Sequence, residues 1–133
     1  MSVEVATYLD SSALVKLIVT ESETDALVSH LAGAARMTSS SLVEVEVVRA
    51  VRKGGAGLVA DARRALDEIE LIALDEPLLR AAADLADDAL RTLDAIHVAA
   101  AQTLGDDLAE VITYDRRMID AAGALGLPVV APA

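Results

Sequence analysis

Four acids stand where a divalent cation could be gripped: Asp10 in VATYLDSSALVKL, Glu46 in SSLVEVEVVRA, Asp94 in LRTLDAIHVAAA and Asp115 in VITYDRRM. Three of them lie where an apolar run hands over to a helical pattern, or where a helix begins. Carboxylates converging on one or two hard cations can hold a water, lower its pKa and aim it at a phosphodiester phosphorus. Charge building on the phosphoryl and leaving oxygens would be offset by the same cations. Such chemistry needs no nucleophilic side chain, and no convincing nucleophile–base pair is present. Ser11, Ser12 and Thr113 fit a supporting role toward metal, water or turn geometry.

Each acid also has a structural reading. Asp10 and Asp115 both follow short apolar runs and precede helices, where a short carboxylate caps backbone N–H groups. In open α/β sheets, however, ligands bind beyond the carboxyl ends of the strands. Two Asp residues at equivalent strand ends meet there if the strands are neighbours. Asp94 lies in a first helical turn behind Thr92, the expected cap, and suits the helix dipole. His97 shares its face; it is either a cation ligand or a packed residue bonded to a neighbour, and hard cations favour the second. Glu44 and Glu46 differ by about 200° around a helix and cannot both face one site. Glu46 shares a stripe with Arg49 and Lys53, where an i,i+3 ion pair to Arg49 is the ordinary use. Glu44 sits among Val47, Val48 and Val51. Periodicity leaves the choice between the two open.

The elements that must position these acids follow from pattern. Short β-branched runs predict strands at 5–9, 36–39, 70–73, 111–113 and 128–130. Helical periodicity covers 12–19, 22–31, 42–53, 58–69, 77–87, 93–104 and 116–125. Alternation of this kind predicts a mostly parallel sheet of about five strands covered on both faces, with right-handed crossovers. Asp75-Glu76-Pro77 reads as a capped helix start, and Gly105, Gly123 and Gly126 fall near helix ends. Gly54-Gly55-Ala56-Gly57 separates two helices and is no phosphate loop, because no Lys-Ser/Thr follows and no strand precedes it.

The 133 residues fit one domain spanning 1–133. Hydrophobic residues make up 54% but aromatics only 2%, so the core must be built from Ala, Leu, Val and Ile. The lack of Cys excludes disulfides and thiolate metal sites and suits a reducing cytoplasm, the expected location. The start MSVEVATYLD has no signal-peptide pattern, and no apolar run nears the ~20 residues of a membrane span. A net charge of −11 argues against broad charge-driven nucleic-acid binding, and fits a cation-gathering site or a basic protein partner.

Taken together, these segments resemble the PIN-domain family, in particular the VapC ribonuclease toxins of bacterial toxin–antitoxin pairs. YLDSSALVKL resembles the first motif, with its acid at Asp10. TSSSLVEVEVVRA is similar to the second, whose Glu precedes two apolar residues, Arg and Ala, which selects Glu46. LRTLDAIHVAAA is similar to the third, at Asp94, and ITYDRRM to the fourth, at Asp115 with Thr113 before it. The likeness spans essentially the whole chain, in order. It implies a three-layer α/β/α sandwich and an endoribonuclease using one or two Mg²⁺ or Mn²⁺ ions. It further implies a cognate VapB-like antitoxin whose C-terminal segment blocks the site, and a homodimer, heterotetramer or larger assembly. Glu44 has no role in this pattern. RNA would need local positive charge, for which Arg49, Arg52, Lys53, Arg116 and Arg117 are the candidates. With Tyr8 and Tyr114 as the only aromatics, base stacking adds little.

Two rivals remain at this point. A Mg²⁺-dependent phosphatase or phosphotransfer domain would need a second Asp two residues after the first, or paired acids with a later Lys; neither is present. A non-catalytic partner-binding domain would use the acids as caps alone.

Overall fold

The computed structural model describes residues 4–133. Among them five strands form one sheet: β1 (Ala6–Leu9), β2 (Arg36–Ser40), β3 (Glu70–Ile72), β4 (Leu108–Ile112) and β5 (Val129–Val130). The order across the sheet is β3-β2-β1-β4-β5 and every pairing is parallel. The helices between them are α1 (Ser11–Ile18), α2 (Thr24–Leu31), α3 (Val43–Val51), α4 (Ala56–Asp67), α5 (Glu76–Ala83), α6 (Thr92–Gln102) and α7 (Arg116–Ala124).

Because strand side chains alternate between faces, each central strand feeds two cores. Tyr8 and Val111 enter one with Leu78, Ile96, Val98 and Met118, so α5, α6 and α7 contribute to that side. Leu9 and Ile112 enter the other with Leu14, Leu27, Val43, Val47 and Leu66, from α1 to α4. The expected three-layer α/β/α sandwich with a parallel sheet is what forms.

Helix α6 is buried from Ala95 through Ala101. Its run of alanines is suited to this place, since small side chains let a helix lie close to a sheet. The break between α3 and α4 falls at Gly55, whose φ of 103° is a conformation side chains resist.

Several boundaries differ from the pattern. Strand β4 begins at Leu108 rather than 111, because pairing with β1 from Ala6 recruits residues of weak strand propensity. Helix α5 stops at Ala83 rather than continuing to 87. Beyond it the Asp87 carboxylate accepts from the Ala89 N–H at 2.9 Å, a local turn that competes with helix. Thr92 does not cap α6: Arg91 holds the cap position without a side-chain bond, and Thr92 is already helical. The Asp75 cap forms, accepting from Leu78 N–H at 2.9 Å with Pro77 in the first turn.

Candidate active site

The strand order puts its reversal at β1 and β4. From β1 the chain steps outward through β2 and β3, then returns to the other side of β1 for β4 and β5. The crevice at such a reversal is where an open α/β sheet can receive a ligand. Leu9 pairs with Ile112 there, and the Asp10 N–H donates to the Ile112 carbonyl at 3.2 Å. Asp10 therefore leaves β1 directly beside the segment that carries Asp115.

Asp10 is 3% exposed and caps α1. Its Oδ1 accepts from Ser12 Oγ at 2.6 Å and Ala13 N at 3.0 Å, and its Oδ2 from Thr113 Oγ1 at 2.5 Å. Burial pushes its carboxyl above the usual carboxylate range, and these bonds oppose that rise. Ser12 also accepts from the Tyr114 N–H at 2.9 Å, tying α1 to the end of β4. Ser12, rather than Ser11, is the serine bonded to Asp10; Ser11 lines an open cleft of ≈ 360 Å³ with Lys16, Glu46 and Tyr114.

Asp115 caps α7, its Oδ1 accepting from the N–H groups of Arg117 at 2.9 Å and Met118 at 3.3 Å. Thr113 Oγ1 accepts from the Asp115 N–H at 3.1 Å while donating to Asp10, so one hydroxyl joins the two acids. Asp94, half-buried in the first turn of α6, is pushed above the usual range first by burial, then by the charges of Asp115 and Asp10. Glu46 adds to this. Asp94 thus feels all three other acids.

Glu46 is half-buried near the start of α3 and does not pair with Arg49. Its Oε1 lies 2.6 Å from Nε2 of His97, a residue 1% exposed whose Nδ1 is 2.7 Å from the Tyr8 hydroxyl. The apolar stripe Val43–Val47–Val51 anchors α3 on its core and leaves Glu46 on the flank that meets α6. Arg49 stays exposed. Glu44 is exposed and turned toward Arg63 and Asp67 of α4. Arg116 and Arg117 are exposed at the start of α7, next to Asp115, and no ion pair engages them or Arg49 among the described residues.

Sequence reading did not single out the Tyr8–His97–Glu46 connection. One signal was available: period-two alternation puts Tyr8 on the same side of β1 as Asp10.

As their side chains lie, no three acidic or imidazole groups among the described residues converge tightly enough to grip a metal ion. The cause is visible in the bonds: Asp10 and Asp115 each turn Oδ1 into a helix N-terminus, and Glu46 turns Oε1 to His97. The donor set nevertheless fits a hard cation. It is all oxygen, one oxygen of Glu46 and one of Asp115 are left for another partner, and the charge crowding on Asp94 is what a cation would relieve. No helix among the described residues is long and apolar enough to cross a membrane.

Comparison with known proteins agrees with this architecture. The PIN domain family matches residues 7–124. The chain is 49% identical to Ribonuclease VapC46 of Mycobacterium tuberculosis over 127 residues, covering 96% of this chain and 98% of that one. It is 43% identical to Ribonuclease VapC35 of the same species, covering 94% and 96%. Among solved structures, the crystal structure of M. tuberculosis VapC20, a Sarcin-Ricin loop cleaving toxin, superposes with a TM-score of 0.75 at 16% identity, over 95% and 99% of the two chains. A toxin–antitoxin complex from Klebsiella pneumoniae gives 0.74 at 25% identity, over 96% and 98%. On the sequence match across its length and the sheet order that carries its acids, this chain belongs to the PIN-domain family and falls among its VapC ribonucleases.

Proposed function

We propose that this chain is an endoribonuclease toxin that hydrolyses RNA phosphodiester bonds with Mg²⁺ or Mn²⁺, and that a VapB-like antitoxin holds it in check in the cytoplasm. The observation that carries this reading is the placing of Asp10 and Asp115 at neighbouring strand ends, joined through the Thr113 hydroxyl, with Asp94 pushed up by burial and then by their charges. Its support from relatives is the ribonuclease name of chains 49% and 43% identical over nearly their full length. A toxin–antitoxin complex at 25% identity supports the antitoxin.

Asp10, Glu46, Asp94 and Asp115 are the residues that would hold the cation. When bound, it would supply an activated water and offset charge on the phosphoryl oxygens. The protein's own part is positional. Ser12 and Thr113 fix the buried Asp10 carboxylate at the crevice. Caps on α1 and α7 use one oxygen of Asp115 and share those of Asp10, so capping and cation binding are compatible in one residue. Arg116 and Arg117, which follow Asp115, and Arg49, three residues after Glu46, are exposed and are the groups proposed to meet RNA phosphates. Ser11, at the cleft beside Glu46, is a further supporting residue.

The test is cleavage of a mixed RNA pool with Mg²⁺, with Mn²⁺ and with excess EDTA. Cleavage in the metals and none in the chelator is expected. Activity that survives the chelator counts decisively against a cation.

A further inference from the structure

His97 is a fully buried ionisable group that the reaction scheme leaves without a task. It joins two layers of the sandwich: α6 packs on one face of the sheet and α3 on the other. Nε2 stands 2.6 Å from Glu46 Oε1, and Nδ1 stands 2.7 Å from the Tyr8 hydroxyl. The Tyr8 ring meets the imidazole edge-on, with centroids 5.9 Å apart and planes at 72°. His97 and Tyr8 are 1% and 0% exposed, so the bond between them is shut off from water.

The roles of the two ring nitrogens follow from the partners. A carboxylate only accepts, so Nε2 must carry a proton toward Glu46. A neutral imidazole then has a bare Nδ1, which must accept, and the only group at hand is a phenol that can donate. Burial holds that phenol protonated, well above its usual range. The chain of donors runs in one direction: Tyr8 O–H to Nδ1, then Nε2–H to Glu46 Oε1. Oε2 of Glu46 is left for another partner, and it belongs to the side chain with the longest and most flexible reach of the four acids.

We infer that Tyr8 and His97 are positioning residues: Tyr8 donates to Nδ1 and holds the imidazole in place, and His97 pins one Glu46 oxygen so that the other is left to turn toward Asp10, Asp94 and Asp115. The inference rests on the reading of Glu46 as a cation-holding carboxylate. Hydrogen-bond partners behind a ligating group commonly tune its affinity 10–100-fold.

Two measurements test it on the intact chain. The first is a ¹H–¹⁵N correlation spectrum of the imidazole rings in metal-free protein. Only two histidines are present, and a His30→Gln variant assigns them. His97 should report a protonated Nε2 and a bare Nδ1; in Tyr8→Phe Nε2 should stay protonated against Glu46 while the Nδ1 resonance moves to that of a nitrogen without a donor. A bare Nε2 in wild type overturns the inference whatever the metal does. The second is calorimetric titration with Mn²⁺. His97→Leu should weaken binding about ten-fold or more. His97→Gln keeps an N–H near the Nε2 position and should recover most of that loss, and Tyr8→Phe should fall between wild type and His97→Leu. Should His97→Leu not fold, judged by circular dichroism, the wild-type spectrum and the Tyr8→Phe titration decide. Glu46→Gln is the control. If it binds Mn²⁺ as wild type does, the cation reading of Glu46 fails and this inference with it. If it loses binding while the His97 and Tyr8 variants match wild type, only the positioning role is overturned.

Discussion

Asp94 carries a charge that its surroundings resist, and this has a measurable sign. Its ordinary value is 3.8; in the folded chain burial raises it first, then the charges of Asp115 and Asp10. Through the window from 3.8 up to the raised folded value, the folded state holds more of this proton than the unfolded chain. Stability from this group is therefore lost as pH rises through that window, and above it the penalty is complete. Asp94→Asn removes the penalty. In EDTA-treated protein the variant should melt above wild type at pH 7, and the gap should close as the pH is taken toward 3.8. The same substitution should lower RNA cleavage by about two orders of magnitude or more, the scale of losing one fixed stabiliser of transition-state charge. Cleavage at the wild-type rate with a lowered melting temperature would make Asp94 a purely structural residue. At this scale much was legible beforehand: Asp10 and Asp115 were readable as caps at strand ends, and both do cap. The Glu46–His97 bond was not, because its partners stand 51 residues apart in sequence; the alternative use of Glu46, an ion pair with Arg49, does not form.

Helix α3 decides which of two acids matters. Glu46 lies on the flank that meets α6, and Glu44 faces α4. Glu46→Gln should cut cleavage by about two orders of magnitude. Glu44→Gln removes only an exposed charge, worth about 0–1 kcal/mol, and should leave the rate nearly unchanged. Both are to be measured on one RNA at saturating Mg²⁺; a dead Glu44→Gln beside an active Glu46→Gln would reverse the assignment. Helix α6 makes a different prediction. Ala100 is 0% exposed, in the alanine run that packs near the sheet. Ala100→Leu should destabilise the chain by about 1–3 kcal/mol through overpacking, read as a lower urea midpoint. A neutral result would mean that the layer is loosely packed. Element types were readable from periodicity throughout. Their ends were not where a tertiary partner intervened, as β1 did in drawing β4 back to Leu108.

The molecule as a whole carries a net charge of −11. A field of that sign slows approach to RNA and favours a basic partner. Expression from the native operon should therefore co-purify a small partner, whose association rate falls as ionic strength rises. Its C-terminal segment, reaching the crevice with apolar anchors and a basic side chain, should suppress cleavage. A chain that purifies alone and is harmless on expression would weaken the toxin–antitoxin reading.

Local chemistry determined much of this protein before any contact was known. Short β-branched runs, caps and helical periodicity act over a few residues, so they named the elements, the α/β layering and the four acids at or near element starts. Which acids meet was decided only by the tertiary structure. Strand order depends on which apolar faces can be buried against which, a non-local condition that makes β1 central and sets Asp10 against the segment leading to Asp115. The same closure brings α3 and α6 together over the end of the sheet and turns Glu46 from Arg49, three residues away, to His97. No short-range pattern encodes that bond, because its partners become neighbours only when both faces of the sheet are covered.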